Sequence, residues 1–162
     1  PGEIKFGDFQ LIDGSAIDGR YEIVDFFMSI WRNNGGMTQS IRRKDIKPSE
    51  MKRHLDRLVI LDVVHVGSSW HLMVRLIGGY VANFYGEITG KDVREMENTQ
   101  AIARIYQACA RVLELKTPIL TVSPAFAPER LFLEAIALYM PLFDEKGNVE
   151  KVLVYVNLTT QQ

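Results

Sequence analysis

The residues able to do covalent or acid–base chemistry are few and scattered along the chain. Cys109 is the only cysteine, and the histidines are His54, His65 and His71. No two histidines stand at the i, i+3 or i, i+4 spacing that puts a ligand pair on one helix face, so no metal site is expected. Gly78-Gly79 and Gly86 to Gly90 do not make a phosphate-binding loop, because Gly90-Lys91 runs into Asp92 instead of Ser or Thr. Neither a G-x-S-x-G elbow nor an HExxH pair occurs. Asp62 is the one strand acid placed to matter for proton transfer, and the inward strand positions read as aliphatic. This set predicts a chain that is not an enzyme.

What remains is a binding chemistry. Cys109 falls on the apolar stripe of a helix, where burial raises a thiol's pKa and makes it a small hydrophobe lining a core or a pocket. His65 and His71 flank a hairpin and are expected in solvent. No histidine follows His71, so haem, which would take one from the long helix, is disfavoured. The aromatic residues Trp70, Tyr80, Phe84, Tyr85, Tyr106, Phe126, Phe132 and Tyr139 describe either a small-molecule pocket or a filled core.

The elements that must position these residues follow from periodicity. Tyr21 to about Asn34 reads as a helix, with Ile23, Phe26, Phe27, Ile30 and Trp31 at 3.6-residue spacing and Val24 and Met28 widening the stripe. Asp18 is its expected cap, and Asn34-Gly35-Gly36 its stop. So broad a stripe either packs on the domain's own core or offers Ile23, Phe27, Ile30 and Trp31 to a second subunit or a signalling partner. Arg42-Arg43-Lys44 reads as solvated surface, and Pro48 opens a second short helix to about Leu58.

From Leu58 the pattern is that of strands. Leu58–Val66 is a nearly continuous β-branched and aliphatic run, as in a strand covered on both faces. After Gly67-Ser68-Ser69, Trp70–Ile77 alternates, with Leu72, Val74 and Leu76 opposite His71, Met73 and Arg75. A short helical turn over Tyr80–Tyr85 and a long helix from Asn98 or Thr99 to about Leu115 follow. Three strands close the chain: Ile119–Val122, Leu131–Phe143 and Val149–Leu158. The expected fold is α+β, a five-stranded antiparallel sheet with a helical crossover, preceded by N-terminal helices. Residues 1–57 would form the helical extension and 58–162 the sheet domain.

Composition sets the outer bounds. The 162 residues, 47% hydrophobic and 24% charged, suffice for one core without a disulfide or metal staple. Nineteen Lys and Arg against twenty Asp and Glu leave a net charge of -1, and so no overall electrostatic case for nucleic acid. Apolar runs such as Leu58–Val64 and Val152–Val156 are far shorter than the roughly 20 residues of a membrane span. Pro1-Gly2-Glu3-Ile4-Lys5 lacks the charged-then-apolar pattern of a secretory signal, and a cytoplasmic location is expected.

Two stretches carry a family resemblance. Asn83-Phe84-Tyr85-Gly86-Glu87-Ile88-Thr89-Gly90-Lys91-Asp92 resembles the Asn, short helix, Gly, acidic, aliphatic and Gly-Lys series of PAS domains. Met140-Pro141-Leu142-Phe143-Asp144-Glu145-Lys146-Gly147-Asn148-Val149, then Val152–Val156 and Asn157-Leu158-Thr159, resembles their closing strand, turn, strand and exit motif. Arg42 to Pro48, Leu58–Val63 and Arg75-Leu76-Ile77-Gly78 are similar to single-domain PAS-like proteins of alphaproteobacteria. The likeness runs from about Tyr21 to Thr159. Two departures stand out: Asn157 takes the place of the usual exit Asp, and Cys109 lies within the long helix, not in an Asn-Cys-Arg-like motif before it. The resemblance therefore disfavours flavin photochemistry as well as haem.

The resemblance implies a non-enzymatic, PAS-like sensory or regulatory domain. A small ligand would sit between the sheet and the helices, lined by Leu72, Val74, Tyr80, Phe84, Tyr106, Cys109 and Tyr139. With the chain ending at Gln162, signalling would pass through a partner or a homodimer interface. The alternatives are a protein–protein interaction module with a filled core and no ligand, or a small enzyme of the ketosteroid-isomerase type.

Overall fold

The structure, a computed structural model, describes residues 3–6, 9–126 and 132–160. The strands are β1 (Glu3–Phe6), β2 (Phe9–Asp13), β3 (Leu58–Val66), β4 (Ser69–Ile77), β5 (Ile119–Phe126), β6 (Phe132–Phe143) and β7 (Val149–Thr160). They form one sheet in the order β1-β2-β5-β6-β7-β3-β4 with antiparallel neighbours throughout. The helices are α1 (Glu22–Asn33), α2 (Gly79–Tyr85) and α3 (Thr99–Leu115). The α+β class and the five strands from Leu58 onward stand as expected, with a crossover of α2 and α3 between β4 and β5. Among the described residues no helix is long and apolar enough to cross a membrane.

The strand number needs correction. Seven strands replace five, because the chain opens with a β1–β2 hairpin whose second strand pairs β5 through Gln10↔Val122 and Asp13↔Ile119. Phe9–Asp13 is five residues long, with Phe9, Leu11 and Ile12 all buried. So short an apolar run has no period to read, and only the open edge of β5 makes it a strand. The expected division at residue 57 is crossed by this pairing and by a single core, in which Ile12, Val24, Ile41 and Met51 pack with Leu58 and Leu120. The second helix, Pro48–Arg57, is a 3-10 segment kinked at Met51 (φ -123°, ψ 23°). Asp18 does not cap α1, which follows Tyr21; its carboxylate accepts from the Arg32 guanidinium at 3.2 Å.

Each face of the sheet is covered by one long helix. On the outer face, α1 buries Val24, Phe27, Met28 and Trp31. The Trp31 indole donates to the Pro141 carbonyl at 2.9 Å, and the Phe27 and Tyr155 rings lie 4.8 Å apart. Gly36 is required behind Trp31, since an added Cβ would overlap the indole. On the inner face, α3 buries Ala108, Cys109 and Val112, each with 0% exposure. Asp13 of β2, 4% exposed, accepts from Arg111 of α3 at 3.0 Å, and Arg104 lies over the Phe9 ring at 5.3 Å. This polar clamp binds the N-terminal hairpin to the crossover helix.

Two measurements test these attachments. Asp13→Asn removes the buried one of the two carboxylates that hold Arg111, leaving only the exposed Glu114 at 3.0 Å, and lowers stability by about 1–3 kcal/mol in chemical denaturation. An unchanged midpoint would mean the clamp adds nothing. The Tyr21 hydroxyl donates to Glu134 at 2.7 Å, and burial followed by this bond pushes the phenol up to about 12. The folded state thus favours the neutral phenol over its usual value near 10. That contribution is fully present below about pH 10 and is lost as pH rises through about 12. The stability gap between wild type and Tyr21→Phe should therefore narrow between pH 10 and pH 12.

Candidate functional site

Alternation along the paired strands decides which side chains face α3. On β6, Ala135, Ala137 and Tyr139 point inward with Thr121 and Ile119 of β5 and Val154 and Val156 of β7. Ile136, Leu138 and Met140 point outward beneath α1 and are at most 2% exposed. The inner row is unevenly covered. Ala135 and Ala137 are half-buried, and so are Ala101, Ile102 and Ile105 in the first turns of α3, whereas Ala108, Cys109 and Val112 further along are sealed. Both groups are apolar residues of the inner face that keep part of their surface exposed. Thr121 and Ser123, both buried, bring hydroxyls to that face, and Thr121 donates to the Ala137 carbonyl at 3.3 Å.

The seven residues expected to line a pocket fall into separate neighbourhoods. Leu72 (0% exposed), Val74 (2%), Cys109 (0%) and Tyr139 (5%) form the sealed centre under α3. Burial drives the Tyr139 hydroxyl well above its ordinary range, with Cys109 and Tyr85 adding to the effect, and burial alone raises the Cys109 thiol. Tyr106 stands at the rim, half-buried. Its hydroxyl accepts from the Leu72 amide at 3.1 Å, and its ring stacks on Trp70 at 5.4 Å. Tyr80 and Phe84 stand at the exit of β7. The Tyr80 ring carries the Arg57 guanidinium at 3.7 Å, its hydroxyl accepts from the Leu158 amide at 3.3 Å, and Phe84 is 52% exposed. Arg57 also donates to Asn157, the residue that departs from the usual exit motif. Sequence reasoning passed over Ala135, Ala137, Ile102 and Ile105. Their signal is the small–large alternation Ala135-Ile136-Ala137-Leu138. Phe126 and the side chain of Phe132 lie outside the residues whose side chains are described.

The four residues expected at an interface are likewise divided. Phe27 (0%) and Trp31 (2%) are buried by their own chain, while Ile23 and Ile30 are half-buried. The exposed large apolar side chain of α1 is Phe26, whose ring lies 5.7 Å from His54.

A concavity lies at the other end of the inner face. A cleft of about 540 Å³ opens between the tip of the β3–β4 hairpin, the last turn of α3 and the β6–β7 turn. Trp70 and Val63 line it from the hairpin, Leu113 and Lys116 from α3, and Asp144 and Glu150 from the turn and β7. Among the described residues, no three His, Cys, Asp or Glu side chains are grouped to hold a metal ion.

An antiparallel sheet with a helical crossover between its second and third core strands and helices on both faces defines an α+β domain. The chain belongs to the PAS domain family, whose model matches residues 23–156. Several solved structures are similar. A light-oxygen-voltage domain studied with a flavin analogue has a TM-score of 0.49 and 14% identity, over 70% of this chain and 84% of that one. The PAS domain of a protein from Colwellia psychrerythraea gives 0.45 and 11%, over 70% and 98%. VqmA of Vibrio cholera, in a complex with ligand and DNA, gives 0.46 and 11%, over 70% of this chain and 51% of that one. No curated protein matches the chain.

The expectation against flavin narrows at this point. The argument from Cys109 concerns covalent chemistry at a thiol, and a sealed, protonated thiol bears only on that. Holding a flavin without a covalent bond needs no cysteine, so flavin as a bound ligand is no longer disfavoured. The thiol's burial is open to direct test. Native protein at pH 8 should leave Cys109 unmodified by a thiol-specific disulfide reagent on the timescale in which denatured protein reacts fully. Equal rates would place the thiol at the surface.

Proposed function

We propose that this protein is a non-enzymatic sensory PAS domain that binds a small ligand on its inner face and signals through a partner or a second copy. The observation that carries this reading is the uneven closure of α3. Its later half is sealed on the sheet, while Ala101, Ile102 and Ile105 stand half-exposed opposite Ala135 and Ala137. Half-covered apolar surface of both helix and sheet, with Thr121 and Ser123 as polar groups, has the composition of a ligand site. Tyr85, half-buried and with its hydroxyl raised by burial, adds an aromatic wall from α2. On this reading the ligand lies beside the sealed quartet of Leu72, Val74, Cys109 and Tyr139, which forms the floor. Flavin is one candidate occupant, and the chemistry of the lining favours a mainly apolar molecule.

A bound ligand would act by repositioning the first half of α3 relative to β5–β7, which requires different affinities for two positions. The partner surface fits the exposed part of α1, Ile23, Phe26 and Ile30, where a second copy would cover apolar area. The net charge of -1 favours a protein partner over nucleic acid, and the cytoplasm fits a chain whose one cysteine is free and buried.

The interaction-module alternative keeps one observation in its favour, the complete burial of the centre of the inner face. Native mass spectrometry of protein purified from its host, followed by thermal unfolding against a metabolite library, separates the two. A ligand at 100 times its dissociation constant adds about 2.7 kcal/mol, or roughly 5–11 °C for a domain of this size. Ala137→Leu should fill the opening and abolish the shift while the ligand-free protein melts within a few degrees of wild type. No bound mass and no shift from any compound, together with concentration-dependent dimerisation, would establish the module instead.

A further inference from the structure

The cleft at the far end of the inner face is separated from the proposed ligand opening by the sealed stretch Ala108, Cys109 and Val112. Its volume of about 540 Å³ lies within the range of small-molecule sites. The residues around it combine an aromatic face, two carboxylates and an apolar wall with His65 and one ammonium, that of Lys116. Trp70 presents an indole that is held flat against Tyr106, with ring centroids 5.4 Å apart and an interplanar angle of 19°. Tyr106 is fixed in turn by accepting from the Leu72 amide at 3.1 Å. The indole is therefore braced and does not fold into the space beside it.

Two carboxylates, Asp144 and Glu150, complete the rim. Asp144 is rigid, because its Oδ1 accepts from the backbone amides of Lys146 at 2.8 Å and Asn148 at 2.9 Å. Those bonds, with Asn148 the largest contributor, hold its carboxyl below the usual carboxylate range, so it is ionised at neutral pH. Glu150 is exposed and free to turn toward a ligand. The C-terminal end of α3, a helix of 17 residues, arrives at the same place with Leu113 and Lys116 in the lining. Helix C-termini carry partial negative charge and favour cations. Lys116 is the opposing charge, and its ammonium is already tied to the Gly147 carbonyl at 3.0 Å. The two carboxylates outnumber that one ammonium. Val63, Leu113 and Val149 supply apolar wall.

We propose that this cleft is a binding site for a small organic ammonium ion, seated against the Trp70 indole between Asp144 and Glu150. An aromatic face attracts a cation electrostatically, and quaternary or alkylated ammonium groups, weakly hydrated, gain most from such a seat. The apolar wall takes the alkyl part, and the carboxylates balance the charge. This site neither requires nor excludes a ligand under the first half of α3, so its failure would leave the sensory reading standing.

The test is a titration of the full-length chain, followed by proton–nitrogen correlation spectra, with choline chloride as probe. Sodium chloride serves as the ionic-strength control, and 3,3-dimethylbutan-1-ol as an uncharged shape match. Choline should move the Trp70 indole signal and the Asn148 and Glu150 amides saturably, while the Trp31 indole, buried under α1, stays fixed. The alcohol should bind about fivefold more weakly or not at all. Glu150→Gln, a surface change that spares the fold, should weaken choline by about threefold without altering the response to the alcohol. Trp70→Leu should remove it. No saturable shift, an equal response to the alcohol, or a response unchanged in both variants would overturn the proposal.

Discussion

A straight helix laid on a twisted sheet can seal only part of it. The 17 residues of α3 extend for about 26 Å at 1.5 Å per residue. Neighbouring strands of a sheet rotate relative to one another, by roughly 20–25° at each step. The contact is therefore tight at one place and lifts on both sides of it. In this protein it is tight at Ala108, Cys109 and Val112, where two of the three side chains are among the smallest available. Those small side chains bring the helix backbone close to the sheet. The cleft beside Leu113 and Lys116 lies past that seat, and the partly exposed Ile102 and Ile105 lie before it.

The outer face obeys the opposite rule. There α1 lies over β6 and β7 with large side chains, Phe27 and Trp31, against Leu138, Met140 and Tyr155, and it leaves the sheet beneath it fully covered. The Trp31 bond to the Pro141 carbonyl uses a backbone acceptor that proline leaves on the strand, so the indole is satisfied without opening the layer. Bulk outside and small residues inside give β6 its alternation, and that alternation decides on which side of the sheet space remains. A sheet with large residues on both faces would have held both helices away and would offer no sealed pivot.

The five later strands and the long helix were legible because each is long enough to show a period or a continuous apolar run. The β1–β2 hairpin was not legible, since Phe9–Asp13 is buried for a reason that lies 110 residues away, in the unpaired edge of β5. Among the site residues, Leu72, Val74, Cys109 and Tyr139 were legible as inward-facing, as side-chain type and alternation require. Their sealing was not, because it depends on where a helix touches a sheet. The width of the apolar stripe on α1 had two readings. The structure explains much of it within the chain: the segment from Pro48 to Arg57 brings His54 against Phe26 and Phe27, so a second side of the helix also meets its own protein.

The polar contacts show how movement at one end of α3 would be felt elsewhere. Arg104 over Phe9 and Arg111 on Asp13 attach the helix to β2 at two points about two helical turns apart. Tyr106, on an adjacent face, attaches it to the opposite edge of the sheet through Leu72 and Trp70. A helix tied to β2 on one side and to the edge strand β4 on the other, and seated on small residues at its middle, is held against sliding. Rocking lifts one end as it lowers the other. On the proposed reading, closing α3 over Ala135 and Ala137 would lift Leu113 and Lys116 away from the turn that carries Asp144. The Lys116 bond to Gly147 resists that motion. The same short connection that shapes the cleft thus sets how far the helix can tilt.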